Sequence, residues 1–123
     1  MKKMNLPLKH PQEIEVWYVL PAIRKELALA LKAQGKSQKD IAQLLGLSEA
    51  AVSQYLSKKR AMEISLPEDV RAFIAKKAEK ISGPHYAYTI IQVIHAYIKE
   101  SKTLCQMHQR VEPGLEECTL CYE

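Results

Sequence analysis

Residues 36–60 read KSQKDIAQLLGLSEAAVSQYLSKKR, and this stretch decides the fold. Ser37 carries a hydroxyl that can accept from the first free N–H groups of a helix, so it is expected to cap one over about 38–45. Ser48 does the same for a second helix over about 49–57. Ala42 is small where the two helices must cross. Gly46 follows four residues later, where the turn needs a positive φ that glycine adopts without steric cost. Val52 lies six residues beyond Gly46 and is expected to pack back on the first helix. Ile41, Leu45, Leu47 and Leu56 supply the remaining apolar contacts. The spacing predicts a helix-turn-helix whose second helix protrudes from the domain and can enter a major groove.

The residues left on the outside of that second helix suit such a role. Ser48, Glu49, Ala50, Ser53, Gln54 and Ser57 are short or carry polar groups, and none blocks close approach. Gln54 can pair bidentately with adenine, and Glu49 can accept from the amino group of cytosine. Ser37, Gln38 and the amides at a helix N-terminus can hold phosphates. Lys36, Lys39, Lys58, Lys59 and Arg60 add a salt-dependent attraction.

Charge along the chain agrees. The 123 residues carry a net charge of +4. Residues 1–62 hold 11 Lys/Arg against 5 Asp/Glu, and residues 63–123 hold 7 against 9. A polyanion is therefore expected to meet the N-terminal half. With 47% apolar and 26% charged residues, the composition is that of a folded chain. No apolar run reaches the roughly 18–20 residues of a membrane span. No signal-peptide core precedes Lys9 and His10. The expectation is a cytoplasmic protein without a membrane partner.

Outward from the motif, residues 1–11 read as a flexible basic arm broken by Pro7 and Pro11. Glu13–Leu20 reads as a short helix with Val16, Trp17, Val19 and Leu20. Pro21 suits the first turn of a new helix, running to about Gln34 with Ile23, Leu27, Leu29, Ala30 and Leu31 at helical spacing, and ended by Gly35. These elements and the motif make a DNA-binding domain over 12–62. Ser65 and Glu68 form an S-x-x-E capping box opening a helix to about Ile81. Ser82-Gly83-Pro84 breaks the chain. A long helix over about 85–101 has an apolar stripe of Ala87, Ile90, Ile91, Ile94, Tyr97 and Ile98. That stripe serves either dimerisation or packing on the chain's own domain. Residues 63–101 are read as a dimerisation and extension region, and 102–123 as an irregular tail. No strand pattern is present, so the fold class is all-α.

The motif resembles the helix-turn-helix of the Cro/C1 (XRE) class of repressors. With the preceding VWYVLPAIRKELALAL, residues 13–62 resemble a group of small, largely archaeal regulators with a cysteine-bearing C-terminus. The resemblance implies a lambda-repressor-like domain and a homodimer on a palindromic operator. It also implies base reading by Ser48, Glu49, Ala50, Ser53 and Gln54.

The tail holds all three cysteines, as Cys105-x2-His108, nine residues, then Cys118-x2-Cys121. Two such half-sites can wrap one metal, and Cys3His is a tetrahedral zinc set. Thiolates suit an iron–sulfur cluster as well, so the cofactor stays open between zinc and a cluster. His95 is an additional candidate ligand, or else an ordinary helix-surface residue. A zinc would staple the tail or sense metal, and a cluster would make a redox sensor. No nucleophile with a base and an orienting partner is legible, nor a glycine-rich phosphate loop, so the chain does not read as an enzyme. The reading is a sequence-specific transcriptional regulator. An antitoxin-type binding module and a zinc-dependent RNA or protein adaptor are the alternatives.

Overall fold

The computed structural model describes residues 10–57 and 66–111, the side chain of Val111 excepted. All regular structure among them is helical. The first helix, α1 (Pro11–Ile14), opens on a proline whose missing N–H costs nothing there. The His10 N–H donates to the Glu13 carboxylate at 2.9 Å. Helix thus begins at the last residue of the expected flexible arm, and residues 1–9 lie outside the described residues.

The break expected at Pro21 does not occur. The chain passes from α1 through a π-helical turn, Glu15–Val19, straight into α2 (Leu20–Ala33). The Leu20 N–H donates to the carbonyl of Glu15, five residues back. In a regular α-helix the Pro21 ring would clash with the carbonyl of Trp17, four residues earlier. The wider π turn accommodates the ring and lets the helix continue. Val19 is buried beneath this turn, while Val16 and Trp17 are exposed by 59% and 60%. The short apolar helix of the sequence reading therefore turns two of its four apolar side chains outward.

Gly35, at φ 92°, ends α2, and the Lys36 N–H returns to the Leu31 carbonyl at 3.2 Å. Next come α3 (Gln38–Leu45) and α4 (Glu49–Leu56). After residues 58–65, which lie outside the described residues, α5 (Glu68–Ala78) follows. Its N-cap position is Pro67, with no side-chain cap bond, so Glu68 is the first helical residue. The expected capping box needs Glu68 at the third helical position, not the first, and its other member, Ser65, lies outside the described residues. The helix also ends three residues short of Ile81.

Helix α6 (Pro84–Glu100) matches the expected long helix. Its stripe is consumed within the chain. Ala87, Ile90, Ile94 and Ile98 are buried, and Ile91 and Tyr97 pack half-buried against the same core. These side chains thus pack mainly on the chain's own core, the second of the two roles that the sequence allowed for the stripe. The tail expected to be irregular from Lys102 instead forms α7 (Thr103–Val111). Leu104, Cys105, Met107 and His108 repeat at helical spacing and are all buried.

Helix α2 is the hub, packing on α3, α4, α5 and α6. Its Ile23, Leu27, Ala28 and Leu31 are fully buried. Helix α7 closes the far side against α1 and α6. The scaffold holds α3 and α4 from behind and leaves the outer face of α4 open.

Candidate nucleic-acid interface

Both serine caps form as the sequence implies. Ser37 Oγ accepts from the Asp40 N–H at 3.1 Å. Ser48 Oγ accepts from the Ala51 N–H at 3.1 Å. Each satisfies one of the N–H groups that a helix start leaves without an intrahelical partner. Between them Gly46 sits at φ 66°, ψ 36°, in the left-handed region. The Leu47 N–H returns to the Ala42 carbonyl at 2.9 Å. The turn is thus fixed by one glycine and two hydroxyls.

Helix α4 is anchored by Val52 and Tyr55, buried to 0% and 1% exposure, with Leu56 only half-buried. The sequence reading placed Leu56 in that anchor and missed Tyr55. Positions three and four after Val52 lie on the same helical face. The larger aromatic takes the deeper site and joins the main core, where burying its ring gains more than burying Leu56 would. The hydroxyl made Tyr55 look like a surface residue, and only its spacing from Val52 carried the signal.

The shift of the anchor leaves the reading face intact. Ser48, Glu49, Ala50, Ser53, Gln54 and Ser57 are all exposed. Ser57 Oγ donates to the Gln54 carbonyl at 3.3 Å, which turns its hydroxyl towards the helix. Gln54 keeps its amide at the surface near the middle of the open face. The face has no large side chain, so a groove floor can approach it closely.

Ser37, Gln38 and Lys39 are exposed at the start of α3, with Lys36 half-buried just before them. Each of the two helices also carries an acid in its first turn, Asp40 in α3 and Glu49 in α4. These carboxylates stabilise their helix starts through the macrodipole. They also oppose a phosphate at the same place, an opposition the sequence reading overlooked at Asp40. Lys58, Lys59 and Arg60 lie outside the described residues.

The C-terminal ligand candidates are only partly described. Cys105 and His108 sit one turn apart on α7, both buried, at 6% and 3% exposure. They stand on a helix and not in the irregular tail that the sequence suggested. Cys118 and Cys121 lie outside the described residues. His95 Nε2 is 3.6 Å from the Glu15 carboxylate, which ties α6 to the π turn. Among the described residues no group of three or more His, Cys, Asp or Glu is placed to hold a metal ion. No helix among them is long and apolar enough to cross a membrane.

Against known families, residues 19–62 match the model described as sigma-70, region 4. That region is a helix-turn-helix module of sigma factors, DNA-binding and not enzymatic. No curated protein and no solved structure matches the chain. The match corrects the resemblance to Cro/C1 (XRE) repressors and to the small archaeal-type group. The lambda-repressor-like label falls with it, and the homodimer on a palindromic operator loses the resemblance that implied it. Ala42, Gly46 and Val52 specify how two helices cross, a requirement that different helix-turn-helix classes share. They therefore predict the motif but do not tell one class from another.

Proposed function

We propose that the chain is a sequence-specific DNA-binding protein of transcription that reads bases with α4. One observation carries the proposal. A doubly capped helix-turn-helix, similar to sigma-70 region 4, presents an open face of Ser48, Glu49, Ala50, Ser53 and Gln54. Gln54 and Glu49 supply the base-directed groups, and Ser37, Gln38, Lys39 and Ser57 line the approach to the backbone. Lys58, Lys59 and Arg60 add charge from the segment after α4. The test is selection of the full chain on random-sequence duplexes. Enrichment of a defined site, with affinity falling steeply as salt rises, supports the reading. Salt-dependent binding without enrichment contradicts it.

The similarity to a sigma-factor region favours a second reading, in which DNA recognition serves contact with RNA polymerase. Retention of the full chain on purified core polymerase supports it, and no retention at low salt counts against it.

The Cys3His site remains part of the proposal. Cys105 and His108 would give one pair and Cys118 and Cys121 the other. The donor set suits a structural or sensing zinc, and its three thiolates suit an iron–sulfur cluster as well. Two donors one turn apart on a helix lie on one face, which supports the first pair. Metal analysis and an absorbance spectrum after anaerobic purification decide between them. A colourless one-zinc protein gives the first, a brown iron-containing protein the second, and a metal-free protein neither.

A further inference from the structure

The outward face of α6 differs in charge from the rest of the surface. Residues 84–98 contain no Lys, Arg, Asp or Glu, although 26% of the chain is charged. Between positions 86 and 96 the exposed side chains are Tyr86, Tyr88, Thr89, Gln92, Val93 and Ala96. Tyr88 is 70% exposed, Tyr86 47% and Val93 42%. These are three of the six large apolar or aromatic side chains that stand exposed among the described residues, so half of them gather on one helix. The Thr89 hydroxyl donates to the His85 carbonyl at 3.1 Å and asks for nothing outside the helix. An uncharged, aromatic patch of this kind has the composition of the core of a protein interface.

We infer that two copies of the chain pair through this face, antiparallel, about a two-fold axis at Gln92. A two-fold contact brings a surface against itself, so a charge near the axis would meet its own like. Residues 84–98 avoid this over about 22 Å of helix. Gln92 is the midpoint of α6 and lies opposite its buried stripe. Its amide both donates and accepts, so it can pair with its own copy. Tyr88 and Ala96 stand one turn to either side, and the axis sets them level with one another, large beside small. At the ends, the positive start of each helix meets the negative end of the other. Glu100 there faces a first turn that holds no acid. An unrelated partner needs none of this self-matching, and a nucleic acid finds no lysine or arginine along the face.

Area sets the strength. A strip of about 25 Å by 10 Å is well under the roughly 800 Å² per partner of a stable complex. An open groove of about 260 Å³, lined by Leu20, Leu44 and Ile91, runs beside Tyr88 and Gln92 and widens the contact surface. The pairing is therefore weak and reversible. It does not rest on the DNA-binding reading.

The test is sedimentation equilibrium of the full chain from about 10 µM to about 1 mM, the range in which a weak pair dissociates. A reversible monomer–dimer equilibrium is expected. Gln92→Glu and Gln92→Lys each place like charges on the axis, and each alone is expected to pair at least tenfold more weakly. Mixed in equal amounts, the two variants bring opposite charges together, and association is expected to return to at least the wild-type level. Should either variant fail to fold, Tyr88→Ala is expected to weaken pairing several-fold. A wild-type chain that stays monomeric at the highest concentration overturns the inference. So does undiminished pairing in a folded variant, or a mixture that does not recover. Pairing as expected in a chain that binds no DNA overturns only the reading above.

Discussion

The Leu47 N–H donates to the Ala42 carbonyl at 2.9 Å, across a left-handed Gly46. This bond closes the turn from which α4 departs. A Cβ at Gly46 would meet nothing within 4 Å, so the glycine is required for its backbone and not for space. Gly46→Ala is expected to destabilise the chain by about 1 to 2 kcal/mol, the cost of a left-handed L-residue. Gly46→Asn is expected to cost less, because its side chain tolerates that region. Urea unfolding of the two variants checks the order.

Legibility followed the range of the interaction. Ser37, Gly46 and Ser48 act on neighbours within a few residues, and the bounds of α3 and α4 could be read from them. The place of Pro21 in the first turn of α2 was legible, but not that the preceding turn widens to π and carries the helix on without a break. The α6 stripe was legible as apolar, but whether it met the same chain or a second copy depended on helices far away in sequence. Cys105 and His108 drew attention as ligands, which hid the amphipathic spacing they share with Leu104 and Met107. On the candidate site, the exposed positions of α4 were legible from the helical period. The depth of Tyr55 was not, because only the packing of three helices determines it.

Tyr55 holds α4 from behind. Tyr55→Ala is expected to cost about 3 to 5 kcal/mol, as for other buried aromatics truncated to alanine. Leu56→Ala, at a half-buried site, is expected to cost distinctly less. Paired thermal unfolding curves test the assignment, and equal losses would return Leu56 to the anchor.

Asp40 sets helix stability against anion binding. Asp40→Asn keeps a side chain of the same size but removes the charge. It is expected to cost about 0.3 to 1 kcal/mol of stability through the macrodipole. It is also expected to tighten DNA binding at low salt, an effect that fades as salt rises. Gel-shift titrations at two ionic strengths check this, and weaker binding at low salt would contradict it.

Tyr97 ties α6 to α5. Its hydroxyl donates to Asp69 at 3.1 Å, and its ring stacks on Phe73 with centroids 4.3 Å apart. The hydrogen bond to Asp69, then desolvation, then the carboxylate's charge raise its pKa above the ordinary 10.0. Above pH 10 the unfolded chain loses this proton while the folded chain keeps it, so folding binds more protons there. Stability from this group is full below pH 10 and is lost as pH rises towards the folded pKa. Tyr97→Phe keeps the stack and is expected to flatten that alkaline decline. Denaturant midpoints between pH 9 and 11 provide the check.

Base reading by α4 is the central claim, and Gln54 is the exposed amide side chain of that helix. The most direct measurement compares the binding profile of the wild-type chain with that of Gln54→Ala across every single-base variant of the selected site. The account predicts a loss of about 1 to 3 kcal/mol with discrimination relaxed at one base pair and kept at the others. An unchanged profile, or a loss spread evenly over all sequences, would contradict it.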